Sequence, residues 1–264
     1  MAVDKLVDST LLDAACTYEA GKIREKLGSS AQISYDLANG KGFGDAIEAI
    51  ETGGGGVSGI DPFPLPDGYS LPLNYQKLLY VDSSSAQICD TGVHPTLETK
   101  IEVVGYYIPG TYGAYVSMTG CNNPTITIYQ NTYNSARTYF SFGDKLDFAN
   151  IMCVSGGIPL FSISKTEARI QNPPLPDQSR TCGATTMSGN ADTTIGIFGR
   201  YNGRTVERQS PIRFFRERIW ENDTLIRCIF PVLKDGEEIC LYDVINGIYM
   251  PNLGTDPLVG GLTL

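Results

Sequence analysis

Residues 100–108 read Lys-Ile-Glu-Val-Val-Gly-Tyr-Tyr-Ile, and residues 125–129 read Thr-Ile-Thr-Ile-Tyr. Both stretches are rich in β-branched and aromatic side chains, which fit the pleated surface of a strand. Turn signals such as Pro109-Gly110 and Asn246-Gly247 follow strand-like stretches. Further strand candidates are residues 151–154, 160–163, 194–198, 212–220, 225–231 and 239–244. Many short strands without a long helical pattern predict a mainly-β fold, an all-β sandwich, from about residue 73 onward.

The composition agrees with a folded, acidic β protein. A length of 264 residues suits one large domain with a small appendage, and 29 glycines, 15 tyrosines and 15 prolines favour strands and turns. The formal net charge of −9 argues against a basic face for nucleic acid or for anionic lipid. No stretch approaches the roughly 18 apolar residues of a membrane span, and the N-terminus lacks the pattern of a secretory signal.

The reactive side chains do not form a recognisable catalytic or metal-binding pattern. Seven cysteines without a CxxC pair favour reduced, mostly buried thiols, with a disulfide framework as the alternative. His94 is the only histidine, and we interpret it as a structural or surface residue. Glu237 and Glu238 are adjacent, so on a strand they would point to opposite faces, unlike the paired carboxylates of a glycosidase. We therefore expect no enzyme activity, no metal and no cofactor.

The first 52 residues predict a small N-terminal helical segment with helices at residues 9–27 and about 42–51. Apolar residues recur at spacings of three and four. They are Leu12, Cys16, Ala20, Ile23 and Leu27 in the first helix, and Phe43, Ala46, Ile47 and Ile50 in the second. Two short helices cannot bury such stripes alone. We therefore expect residues 1–52 to serve attachment and oligomerisation, with a hairpin docked on the chain's own main domain as the alternative.

A linker is expected between the helices and the sandwich. Residues 53–56 are four glycines, which give maximal backbone freedom, and residues 61–66 hold three prolines, which favour an extended chain. The expected organisation is therefore a helical segment at 1–52, a Gly/Pro-rich linker at 53–72 and the sandwich at 73–264.

Several segments resemble known bacteriophage proteins. Residues 65–69 (LPDGY) and 78–93 resemble the opening of concanavalin-A-like, or laminin-G-like, domains in phages of gut bacteria. Residues 218–227 are similar to a hairpin of the same domains, and residues 241–247 and 251–255 are similar to their ending. The helical segment resembles phage tail and fibre proteins at residues 23–31 and 42–50. The resemblance covers both ends of the chain, whereas residues 105–200 are only loosely similar.

The resemblance implies a concanavalin-A-like jelly-roll sandwich in a virion structural protein of a tail, baseplate, fibre or head fibre. It further implies a homotrimer, contacts with other virion proteins, and location in the virion after synthesis in the bacterial host cytoplasm. Host-surface glycan is the implied ligand, although the fold alone does not establish that function. A dedicated host-glycan lectin and a carbohydrate-active enzyme are the alternatives.

Tyrosines supply the candidate glycan-binding residues, because a phenol ring can stack on a pyranose while its hydroxyl forms hydrogen bonds. Seven tyrosines lie close together in the sequence: Tyr106, Tyr107, Tyr112, Tyr115, Tyr129, Tyr133 and Tyr139. Strand contexts favour packing within the sheet for most of them. Turn-like, polar contexts single out Tyr112 and Tyr133, together with Tyr201 and Arg204, as glycan-binding candidates.

Arginines form a local basic run in this acidic chain: Arg200, Arg204, Arg208, Arg213, Arg216 and Arg218. We interpret the run as a solvated sheet face on which Glu207 and Glu217 pair with the arginines. A subunit contact or an anionic-glycan contact is the alternative.

Overall fold

The computed structural model describes residues 61–84, 86–108, 115–122, 124–131, 137–152, 158–172, 176–189, 192–201, 206–207, 211–261 and 263. These residues contain strands and no helix, and therefore no helix with the length and hydropathy that a membrane span requires. The strands are β1 (Tyr75–Lys77), β2 (Val81–Asp82), β3 (Cys89–Asp90), β4 (Thr99–Tyr107), β5 (Tyr115–Asn122), β6 (Thr125–Asn131), β7 (Arg137–Phe142), β8 (Lys145–Met152), β9 (Leu160–Ile163), β10 (Glu167–Gln171), β11 (Gln178–Thr181), β12 (Gly196–Ile197), β13 (Arg200–Tyr201), β14 (Val206–Glu207), β15 (Ile212–Glu221), β16 (Thr224–Lys234), β17 (Glu238–Asp243), β18 (Ile248–Met250) and β19 (Val259–Gly260).

The strands form two sheets. The first sheet has the order β11-β10-β9-β4-β15-β16-β17-β18, with β1 paired to β16 and with β2 paired to both β15 and β19. The second sheet has the order β14-β13-β5-β6-β7-β8, and β12 pairs with both β3 and β5. The described pairings are antiparallel except for one parallel bridge between Tyr201 and Cys121. The predicted mainly-β sandwich is confirmed.

The core lies between the two sheets and follows the alternation of side chains along each strand. Ile101 and Val103 of β4 are fully buried and belong to the same cluster as Ile128 of β6. Phe214 on β15 of the first sheet meets Phe198, which follows β12 of the second sheet, at 5.6 Å between ring centroids. Because successive strand residues point to opposite faces, this buried set fixes which residues face outward.

A second apolar cluster lies on the outer face of the first sheet. It is centred on Phe230 of β16 and Tyr242 of β17, and Phe63, Leu65, Leu71 and Tyr75 pack against it. We call residues 63–75 the N-terminal strap. The Lys77 ammonium donates to the carbonyl oxygen of Phe63 and lies 4.6 Å from the Phe230 ring centroid. Residues 63–72 of the expected linker thus contact the first sheet.

The chain divides after Pro62 into two units, Met1–Pro62 and Phe63–Leu264. The predicted helices lie outside the described residues. So do all nine residues predicted to serve attachment or oligomerisation: Leu12, Cys16, Ala20, Ile23, Leu27, Phe43, Ala46, Ile47 and Ile50.

The described cysteines are buried, as expected for small apolar side chains. They are Cys89, Cys121, Cys182, Cys228 and Cys240, and no disulfide joins any of these five. Burial raises the pKa of the Cys121 thiol to about 12, so this thiol stays protonated and unreactive near neutral pH. Cys16 and Cys153 lie outside the described residues.

Candidate functional site

The outer face of the second sheet carries polar and aromatic side chains behind an apolar inner face. Ile128 of β6 and Phe140 of β7 point into the core. Their strand neighbours Tyr129 and Tyr139 therefore point outward. Along both strands, apolar side chains alternate with hydroxyl-bearing ones. The local sequence therefore gives each strand an apolar inner face and a polar outer face.

Tyr129 and Tyr139 form a stacked pair across the sheet. They are directly opposite each other in the β6–β7 register. Their ring centroids are 5.3 Å apart and the rings are 15° from parallel. The Arg200 guanidinium lies 5.9 Å from the Tyr129 centroid, and its Nε donates to Thr127 Oγ1 at 3.2 Å. Tyr129 is only 3% exposed, whereas Tyr139 is half-buried, so Tyr139 is the ring that a ligand can reach.

An exposed carboxylate, Asp147 of β8, is fixed beside this pair. Its Oδ1 accepts hydrogen bonds from the Tyr129 hydroxyl at 2.6 Å and from Ser141 Oγ at 2.9 Å. The Asp147 backbone N–H donates to Ser141 Oγ, also at 2.9 Å. The β7–β8 pairing is irregular here, between Phe140 and Phe142, and Asp147 has a φ of 50°. The irregularity thus turns a carboxylate toward two hydroxyls of neighbouring strands.

We call this set the tyrosine–aspartate array. Its members share the outer face of the second sheet and contact one another in an unbroken chain. They are Thr127, Tyr129, Tyr139, Ser141, Asp147 and Arg200. Chemically, the array offers a ligand the half-buried Tyr139 ring and the exposed Asp147 carboxylate, while the buried hydroxyls of Thr127, Tyr129 and Ser141 hold these groups in place.

The glycan-binding residues chosen from the sequence are largely outside the described part of the chain. Tyr112, Tyr133 and Arg204 lie outside the described residues. Tyr201 has a described main chain in β13, paired with Cys121 and Val206, but its side chain lies outside the description. The structure therefore leaves these four assignments as predictions.

Sequence reasoning missed Asp147 and Ser141 and treated Tyr129 and Tyr139 only as members of the tyrosine-rich stretch. A signal for the outer face was present, because Thr-Ile-Tyr at 127–129 and Tyr-Phe-Ser at 139–141 alternate polar with apolar side chains. No sequence signal marks Asp147, because its position depends on the irregular β7–β8 pairing.

The interpretation of the arginine run as a solvated face is wrong for its described members on β15. Arg213 forms a bidentate pair with Asp82, at 2.8 and 2.7 Å, and lies 3.7 Å from the Tyr80 ring centroid. This pairing raises the pKa of Arg213. Arg216 is 9% exposed and lies over the Phe63 ring. Arg213 thus links β15 to β2, and Arg216 lies against the N-terminal strap.

Glu217, expected as a surface partner of those arginines, is fully buried in the core. A register shift in β15 between Phe214 and Arg216 changes the alternation and turns this side chain inward. Its Oε1 accepts a hydrogen bond from Thr119 Oγ1 of the second sheet at 3.3 Å, while Oε2 has no partner among the described residues. Burial raises the pKa of Glu217 to about 8, so the side chain is mostly protonated at neutral pH.

The histidine and the acidic residues show no arrangement for metal binding in the described part of the chain. His94 Nδ1 lies 3.0 Å from the carbonyl oxygen of Thr193, a contact that ties a loop to its neighbour. Among the described residues, no group of three or more His, Cys, Asp or Glu side chains could hold a metal ion.

Comparisons with known proteins found solved structures that are similar to this chain at low sequence identity. No family model matches the chain, and no curated protein matches it. A candidate carbohydrate-binding protein from Bacteroides ovatus is similar with a TM-score of 0.47 and 12% identity, covering 71% of this chain and 62% of that one. Scytalido-glutamic peptidase bound to a peptide-based transition-state analogue has a TM-score of 0.28 and 13% identity, covering 74% of this chain and 100% of that one. The chain thus spans 62% of the length of the Bacteroides protein.

Proposed function

We propose that the β-sandwich binds carbohydrate and that the tyrosine–aspartate array is its binding site. The observation that carries this proposal is a reachable Tyr139 ring beside the exposed Asp147 carboxylate. A tyrosine ring can cover the apolar face of a pyranose, while a carboxylate accepts strong hydrogen bonds from sugar hydroxyls. Both groups are already held by neighbours, so little ordering is needed when a ligand binds.

The glycan site is proposed to belong to a virion structural protein of a phage or prophage. This part of the proposal rests on the resemblance of residues 23–31, 42–50, 65–69, 78–93, 218–227, 241–247 and 251–255 to phage proteins. In that setting residues 1–52 attach the chain to its own copies and to other virion proteins, and the sandwich is displayed on a tail, baseplate, fibre or head fibre.

The full chain is expected to form a trimer in solution, and a chain beginning at Phe63 is expected to be monomeric. The reason is that the apolar stripes predicted within residues 1–52 need partner chains to be buried. Light scattering coupled to size exclusion would measure both masses. A monomeric full chain would contradict the assembly role and leave a dedicated glycan lectin as the better description.

The sandwich is proposed to bind sugar without cleaving it. Glycoside hydrolysis usually needs two carboxylates flanking the scissile bond. Among the described residues, the contacts of the array contain one carboxylate, Asp147. Release of reducing sugar from host wall polysaccharide by the purified protein would overturn this statement.

Tyr139→Ala is expected to weaken glycan binding at least tenfold. Among the described residues of the array, Tyr139 has the only ring that a ligand can reach, and the substitution removes it. A tenfold loss corresponds to about 1.4 kcal/mol, a reasonable value for a lost aromatic stack. A glycan array would identify the ligand, and titration calorimetry would compare the variants. Tyr69→Ala, which removes an exposed tyrosine from the N-terminal strap, is the control and is expected to bind normally. Equal binding by both variants and the unaltered protein would place the site elsewhere.

A further inference from the structure

The two carboxylate oxygens of Asp147 differ in their surroundings. Oδ1 is occupied by the hydroxyls of Tyr129 and Ser141. Oδ2 accepts no hydrogen bond from the described residues, and the side chain is exposed. The left-handed φ of 50°, uncommon for a residue other than glycine, is maintained by the bond from the Asp147 N–H to Ser141. The carboxylate is therefore held in one orientation with one oxygen available to a ligand.

The cationic side chains nearest to Asp147 in the sequence or in the array contact other groups or lie farther along the sheet. Lys145, two residues before Asp147, pairs with Asp144 at 3.2 Å. Arg200 is 7% exposed, and its guanidinium donates to Thr127 and lies 5.9 Å from the Tyr129 ring centroid. Arg137 lies on β7 four residues before Ser141, which is about 13 Å along a strand. Among the described residues, no cation forms an ion pair or a hydrogen bond with Asp147, so the negative charge on Oδ2 is left to a ligand.

We propose that Asp147 determines the charge class of the ligand: the array accepts glycans that offer hydroxyl or ammonium donors and excludes acidic sugars. This inference rests on the proposed function of the array. A hydroxyl or ammonium group on the ligand can donate to Oδ2, which gives a charge-assisted hydrogen bond. A uronate carboxylate in the same place would put two negative charges in contact, and like-charge juxtaposition of that kind strongly disfavours binding.

The test uses the full chain and three hexasaccharides of different charge: fully deacetylated chitosan hexaose, chitin hexaose and oligogalacturonate hexaose. Titration calorimetry at low ionic strength is expected to show at least tenfold tighter binding of the chitosan and chitin hexamers than of the galacturonate hexamer. Asp147→Asn is expected to reduce this preference below threefold. Asparagine tolerates a left-handed φ, so the substitution keeps the local backbone. Thermal unfolding would confirm that the variant is folded.

Asp67→Asn is the matched control, because it removes one negative charge from an exposed turn of the N-terminal strap. It is expected to keep the tenfold preference. The inference is overturned if Asp147→Asn also keeps that preference, or if unaltered protein binds all three hexamers equally well. The proposed function itself fails if no hexamer binds, or if Tyr139→Ala binds them as the unaltered protein does.

Discussion

The stability of Glu217→Gln relative to the unaltered protein is expected to rise by on the order of 3–5 kcal/mol of unfolding free energy as the pH rises from 4 to 8. The pKa of the buried Glu217 is about 8, against an ordinary value of 4.5, and each unit of difference corresponds to about 1.4 kcal/mol. Between these two values the unfolded chain has released the proton while the folded chain still holds it. The stability of the unaltered protein therefore falls as the pH rises through this window.

Glutamine cannot ionise, so the variant lacks this fall. At pH 4 and below, Glu217 is largely protonated in both the folded and the unfolded chain. The unaltered protein should then equal or exceed the variant in stability. The reason is that the buried amide N–H₂ gains no described acceptor, and an unsatisfied buried donor costs about 1–3 kcal/mol. Urea denaturation at pH 4, 6 and 8 would measure both profiles.

Glu98→Gln serves as the control for that experiment, since it removes an exposed glutamate that pairs with Lys165. It is expected to leave the pH profile of the unaltered protein in place. Parallel stability profiles for Glu217→Gln and the unaltered protein would show that the core glutamate is not protonated in the folded state.

Gly120→Ala is expected to destabilise the sandwich by on the order of 3–5 kcal/mol, or to prevent folding. Gly120 on β5 has a φ of 142°, which side chains other than hydrogen rarely allow. An added Cβ would lie 2.2 Å from the carbonyl oxygen of Ile126 and 2.8 Å from the Cα of Thr127. Both are backbone atoms of the adjacent strand β6, so the clash is relieved only by separating two hydrogen-bonded strands.

Gly183→Ala measures the cost of a left-handed backbone conformation without a steric clash. Gly183 also has a positive φ, of 67°, but nothing lies within 4 Å of an added Cβ. The expected loss is about 1–2 kcal/mol, the usual penalty for a left-handed residue. Chemical denaturation would compare the two variants. Equal losses would mean that β5 and β6 adapt to the methyl group, contrary to the geometry at Gly120.

Strands with strong local alternation could be predicted from the sequence. Residues 100–108 correspond to β4 (Thr99–Tyr107), and residues 160–163 correspond to β9 (Leu160–Ile163). In both, buried side chains such as Ile101 and Phe161 alternate with more exposed ones such as Glu102 and Ser162, so the local pattern and the tertiary structure agree. By contrast, β11 (Gln178–Thr181) is polar and mostly exposed, and it is a strand only because it pairs with β10.

The candidate site depended on features that local patterns do not contain. The stacking of Tyr129 on Tyr139 requires the β6–β7 register, which long-range packing decides. Asp147 joins them through an irregular pairing, and Glu217 enters the core through another irregularity in β15. An extra residue in one strand reverses the face of every residue after it. Beyond such a point, the alternation in the sequence no longer predicts which side chains face the core.

The N-terminal strap has a mechanical consequence. Tension applied to the chain ahead of Phe63 acts first on Phe63, Leu65 and Leu71, whose apolar contacts on the first sheet can separate one after another. Only when these have detached does the load reach β1, which is hydrogen-bonded to β16. Peeling the strap would release up to about 40 Å of contour length. Both sheets could thus remain intact while the strap is pulled away from the first sheet.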